Sequence, residues 1–139
     1  MVTPLGVLAV YGTIIGTTGN RGGSFNADLK SQLRDFERIS ESTDLCIAGD
    51  LNMSFSDNYY FTEEGRNKLK NTFDKLGLKI LTADINNNID HIILARNFVG
   101  NKTLNQTVWN EPSDRATRLS DHISVMVEIQ WQVSQSRRS

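Results

Sequence analysis

The stretch Leu45-Cys46-Ile47-Ala48-Gly49-Asp50-Leu51-Asn52 carries the pattern that decides the fold. A short, continuous apolar run fits a strand covered on both faces. It stops at Gly49-Asp50-Leu51-Asn52, a turn signal that leaves an acid and an amide at the strand's end. Upstream, Gly6 to Ile15 is rich in β-branched and aromatic residues and reads as another strand. Between them, Phe25, Leu29, Leu33, Phe36 and Ile39 recur at helical spacing, with Ser24 or Asn26 available as the cap. Downstream, a second helix is expected after Thr62. Glu63 and Glu64 lie in its first turn, Leu69, Phe73 and Leu76 form its buried face, and Gly77 closes it. Leu78 to Leu81 and Ile89 to Ala95 read as strands on either side of a turn-rich Asp84 to Asn88. Asn97 to Trp109 reads as loop and then strand, with Trp109 expected to anchor the following loop in the core. Ile123 to Gln130 alternates apolar and polar residues, as a half-buried strand does. This order predicts α/β or α+β architecture. Two helices cannot cover both faces of a sheet with this many strands, so one face is expected to need a partner layer.

The 139 residues, 38% apolar and 22% charged, fit one domain and exclude a disordered or collagen-like chain. No apolar run approaches the roughly 18 residues of a membrane span. No basic n-region or small-residue cleavage site marks a signal peptide, and a cytoplasmic location is expected. Cys46 alone forms no disulfide framework and is expected to be a core thiol. With 15 basic and 16 acidic residues, bulk charge does not advertise a nucleic-acid partner. Val133 to Ser139 reads as a polar tail after a domain spanning residues 1–132.

Three predicted strand ends carry acids beside turn residues: Asp50, Asp90 in Ile89-Asp90-His91-Ile92, and Asp121-His122 in Ser120-Asp121-His122-Ile123. Each alone has a plain structural reading. Asp50 and Asn52 form a turn, Asp90 caps one, His91 is a solvent-facing strand residue, and Ser120-Asp121 closes a loop. Together they are harder to dismiss, because strand ends and their loops carry site residues in α/β folds.

In this order the three motifs resemble the endonuclease/exonuclease/phosphatase superfamily, which includes DNase I-like nucleases and AP endonucleases. The resemblance runs from Leu5 to Ile129. It implies the C-terminal half of a four-layer α/β sandwich, with a mixed, mainly antiparallel sheet and two covering helices. It also implies a Mg²⁺- or Mn²⁺-dependent phosphoesterase, nuclease-like, that cleaves a phosphate ester by attack of activated water. Asp50 would orient or deprotonate that water, and Asn52 would donate to the phosphate or the water. His122 would bind a phosphate oxygen, with Asp90 orienting its imidazole, and Asp121 would be a metal-side carboxylate. Tyr11 matches a phosphate-contacting tyrosine or is a buried sheet residue; the sequence leaves both open. The implied substrate is a phosphate ester, nucleic acid among the candidates. The family's metal-holding Glu has no counterpart here, so a missing N-terminal half or another chain is expected to complete the fold. A non-catalytic binding module of the same half-fold is the alternative. Phe55, Tyr59, Tyr60 and Phe61 are expected to pack the loop after Asn52 rather than stack on a base, and Arg115 and Arg118 flank the expected substrate loop.

Overall fold

In the computed structural model, residues 1–16, 23–111 and 118–131 are described. The expected loop around residues 17–22, Arg115 and the tail from 132 onward lie outside them. The chain opens with a small hairpin, β1 (Val2–Thr3) and β2 (Gly6–Val7), and then enters β3 (Ala9–Ile14). The single strand expected over Gly6 to Ile15 is thus divided. Leu8 donates its N–H to the Met1 carbonyl at 2.8 Å, tying this segment back to the N-terminus before β3 begins. Helix α1 (Gly23–Ser40) leads to β4 (Leu45–Asp50), and α2 (Glu63–Lys75) to β5 (Leu78–Ile80). Strand β6 (Asp90–Ala95), the one-turn α3 (Arg96–Val99), β7 (Thr103–Trp109) and β8 (Ser124–Gln130) complete the order.

The central sheet runs β3-β4-β6-β5, with β3 parallel to β4 and both other pairs antiparallel. The protein is therefore mixed α/β with a mixed sheet. Both long helices follow the expected periodicity. Phe25, Leu29 and Phe36 of α1 and Leu69 and Phe73 of α2 are buried. Phe36 meets Tyr11 edge-on at 5.1 Å and Phe73 at 6.1 Å, so both helices lie on the sheet face that carries Tyr11 and Ile47. Thr62 caps α2 by accepting the Gly65 N–H at 3.2 Å, and Gly77 takes the positive φ that ends it. Fully burying side chains of this size contributes about 1.5–3 kcal/mol each, which makes this layer the main source of stability.

The opposite face carries Val10, Gly12 and Ile14 from β3, Cys46, Ala48 and Asp50 from β4, and Asp90, Ile92 and Leu94 from β6. β8 does not join this sheet. Among the described residues it pairs only with β7, and that hairpin packs Leu104, Val127 and Ile129 against the core beside β6. The β6 end of the face is covered, with Leu94 buried. The β3 end is open, and Val10 and Ile14 are 55% and 57% exposed. Trp109 was expected in the core, but its register puts it on the outward side of the hairpin, opposite Ser124, and it is 49% exposed. In the loop after Asn52, Phe55 packs edge-on against His91, and Phe61 lies under the Arg66 guanidinium, while Tyr59 is exposed.

Gly49 holds β3 and β4 together. Its φ is +145°, and a Cβ there would sit 1.9 Å from the Thr13 carbonyl oxygen. No side chain fits against that backbone. Gly49→Ala is expected to cost at least about 3 kcal/mol or to abolish folding. Gly12→Ala, where a Cβ meets nothing within 4 Å, is expected to change stability by no more than about 0.5 kcal/mol. Urea denaturation of the two variants checks both values.

Candidate active site

The strand β4 runs two residues further than the apolar pattern suggested, so Asp50 is its last residue rather than part of a turn. Asp90 is the first residue of β6 and pairs directly with Asp50 across the ladder. Facing residues on paired strands project to the same side, so two carboxylates lie side by side on the face away from the helices. His122 comes to them from the segment before β8. Its Nδ1 lies 2.7 Å from Asp90 Oδ2. Three residues far apart in sequence thus meet at one end of the sheet, where β3 and β4 finish and β6 starts.

The charges are coupled. The hydrogen bond to Asp90 holds the His122 pKa above the usual histidine range; desolvation opposes it, and the charges of Asp90, Asp50 and Asp121 add to it. Burial pushes the Asp50 carboxyl above the usual range. The Asn52 N–H opposes that shift, the Asp90 charge adds to it and His122 lowers it. A carboxylate with a raised pKa is a stronger base, and an imidazolium held by an acid is a directed proton donor. The donor to Asp90 is Nδ1–H, which leaves Nε2 for another ligand. Among the described residues nothing hydrogen-bonds Nε2.

Asn52 sits with φ +48°, a left-handed conformation that asparagine tolerates. Its backbone N–H donates to Asp50 Oδ1 at 2.7 Å. Its Nδ2 lies 2.9 Å from the Ile15 carbonyl, 3.1 Å from that of Gly16 and 3.3 Å from Asp50 Oδ2. An amide has two donor protons, and these acceptors use both. The expected role of Asn52 as a donor to phosphate is therefore corrected. The side chain continues the β3–β4 ladder past the point where the backbone turns away, and it fixes the Asp50 carboxylate.

Tyr11 is corrected as well. It projects to the helix side of the sheet, with its hydroxyl donating to Asp35 Oδ2 at 3.1 Å and its ring against Phe36. It does not share a face with Asp50. Of the two readings the sequence left open, the structure has the sheet tyrosine, partly buried against the core. Asp121 is exposed beside His122, its backbone carbonyl accepting from Arg118. Among the described residues no three His, Cys, Asp or Glu side chains group so as to hold a metal ion. These residues alone do not fit the expected Mg²⁺ or Mn²⁺ site.

Two asparagines and a threonine that the sequence did not single out complete the arrangement. Asn88, fully buried, accepts the Asp90 N–H at 3.2 Å and donates to the Asp90 carbonyl at 2.6 Å. Asn110, with φ +59°, donates to the carbonyls of Ser120 and His122 and accepts the Leu119 N–H. Asn52 and Asn110 each bind two stretches of chain together. Thr82 is buried against His91, which is itself buried rather than solvent-facing. His91 Nε2 lies 2.8 Å from the Met53 carbonyl and must donate to it, so Nδ1 accepts from Thr82 Oγ1 at 2.9 Å. The signal for Asn88 was its position two residues before an acid, an Asx-turn spacing. Nothing local marks Asn110.

No protein-family model matches the chain, and no curated protein matches it.

Replacing Asp90 by Asn is expected to lower the His122 pKa, read from the pH dependence of its ring-proton NMR signals. Because the native pKa is raised, the pair stabilises the fold fully below pH 6.5, and that contribution fades as pH rises through the native value. An unchanged midpoint would contradict the pairing. His91 behaves oppositely. Burial lowers its pKa from 6.5 to about 4. Between those values the unfolded chain binds more protons, so stability falls as pH falls, by up to about 3 kcal/mol. Urea midpoints at neutral and mildly acidic pH should show this loss, and His91→Gln should reduce it.

Proposed function

We propose that this chain carries the water-activating and phosphate-binding part of a phosphate-ester hydrolase, as the C-terminal half of a DNase I-like sandwich. The observation that supports the reading is the 2.7 Å bond between Asp90 and His122 beside Asp50 on the adjacent strand. In this reading Asp50 accepts a proton from the attacking water, its raised pKa making it a better base. His122 presents Nε2–H to a phosphate oxygen, where positive charge offsets the negative charge that builds up in the transition state. Asp90 keeps the imidazole protonated and oriented. Asn52, Asn88 and Asn110 hold these groups still. A Mg²⁺ or Mn²⁺ requirement enters the proposal only with ligands from another polypeptide segment, either a missing half or another chain. The substrate is a phosphodiester or phosphomonoester, nucleic acid included, and the net charge of −1 gives no bulk attraction for polyanions. A cytoplasmic setting goes with the reading, in which the free, half-buried Cys46 stays reduced. Among the described residues no helix is long and apolar enough to cross a membrane.

A second reading, a phosphate-binding module without turnover, is favoured by the spent donors of Asn52. One pair of measurements separates the two. Inorganic phosphate is expected to shift the His122 ring signals saturably, and Asp90→Asn to weaken that shift. The 139-residue chain alone is expected to hydrolyse bis(p-nitrophenyl) phosphate slowly, and Asp50→Ala to lower the rate by about 100-fold or more. Phosphate binding with no hydrolysis would favour the second reading. Hydrolysis that survives Asp50→Ala would remove Asp50 from the mechanism, and no response to phosphate would sink both readings.

A further inference from the structure

Strand β3 is the edge of the central sheet, and among the described residues no strand pairs with its outer side. The direction of its backbone groups follows from two bonds. Ala9 donates to the Asp44 carbonyl and Ile15 to the Asp50 carbonyl, each at 2.9 Å. In a parallel ladder such contacts come from alternate residues, so Ala9, Tyr11, Thr13 and Ile15 face β4. Val10, Gly12 and Ile14 direct their N–H and C=O groups outward. One of these is already engaged on its own side: Gln32 of α1 donates to the Ile14 carbonyl at 2.9 Å, and that oxygen keeps a second lone pair.

This edge lacks the usual protections. Ala9 to Ile14 contains no charge and no proline, and the ladder to β4 runs through it without a bulge. Val10 and Ile14 are more than half exposed, and a Cβ at Gly12 would meet nothing within 4 Å, so another backbone can approach. The other edge, β5, is only three residues long.

We propose that the outer edge of β3 pairs antiparallel with β3 of a second copy of this chain, about a two-fold axis at Gly12. Val10 then lies opposite the partner's Ile14, and Gly12 opposite the partner's Gly12. Only this register places all three outward-facing residues of one copy against the three of the other, each exchanging N–H for C=O. Val10 also stacks beside the partner's Ile14, covering part of the apolar surface on both. A second copy fits this edge by charge and by hydrogen-bond self-complementarity. An uncharged strand meets no like-charge repulsion from its own copy. Asp35, which accepts from Tyr11 of β3, is itself paired with Arg38 at 3.3 Å, so the charge there is balanced. The two sheets become one continuous sheet. The inference does not depend on the phosphoesterase reading.

The test is the mass of the full chain by sedimentation at rising micromolar concentrations. A monomer–dimer equilibrium is expected, and Val10→Lys should abolish it without changing the circular dichroism spectrum. Gly12→Pro should do the same, since proline removes only an outward N–H on an edge strand. The register is tested by Gly12→Cys in a Cys46→Ala background. Facing residues of a hydrogen-bonded antiparallel pair have Cα atoms about 5.5 Å apart, within disulfide reach. Oxidation should give a covalent dimer, whereas Leu119→Cys, an exposed control, should not. A chain that stays monomeric throughout, a dimer untouched by Val10→Lys and Gly12→Pro, or equal cross-linking at both cysteines would overturn the proposal.

Discussion

Two carboxylates facing each other across a β-ladder repel, and like charges at such positions destabilise a sheet. Asp50 and Asp90 hold those positions at the end of β4 and the start of β6. His122 makes the pair tolerable. Its imidazolium sits on Asp90 at 2.7 Å and lowers the cost of the Asp50 charge. The interaction joins the hairpin segment to the central sheet, and it couples the charge of His122 to that of Asp50. Everything proposed for function depends on this triangle.

The scaffold around it is built from backbone constraints more than from further charges. Gly49 lets β3 approach β4 closely enough for Asn52 to bridge them. Asn88 fixes the Asp90 backbone on both its N–H and its carbonyl. Asn110 gathers residues 119, 120 and 122 by three hydrogen bonds to backbone groups. Such contacts position reacting groups without adding repulsive charge, which suits a site that would receive an anion. Beneath it, the neutral and buried His91 ties the sheet to the Met53 carbonyl and Thr82.

Much of this was legible in the sequence because it follows local periodicity. The helix faces of Phe25, Leu29 and Phe36 and of Leu69 and Phe73, the helix start after Thr62 and the alternation through Ile129 are properties of a few neighbouring residues. So is the placement of Asp50 and Asp90 at strand ends. What was not legible depends on pairing between distant segments. Whether β8 joins the central sheet, which side Tyr11 faces and where Trp109 points are set by register and by the break between strands at Leu8. The role of Asn52 was misread for the same reason. Its amide is spent on Ile15 and Gly16, carbonyls that sequence places far away and the fold brings within 3.1 Å. His91, polar and at a strand start, looked solvent-facing until its two buried partners were known.

The coupling of Asp50 to His122 is open to direct measurement. Carbon-13 NMR of the Asp50 carboxyl as a function of pH reports its own titration. The expected result is a midpoint above the ordinary aspartate range that moves higher still in His122→Ala, because the cation that favours the ionised form is gone. A midpoint in the ordinary range, unmoved by His122→Ala, would contradict the account.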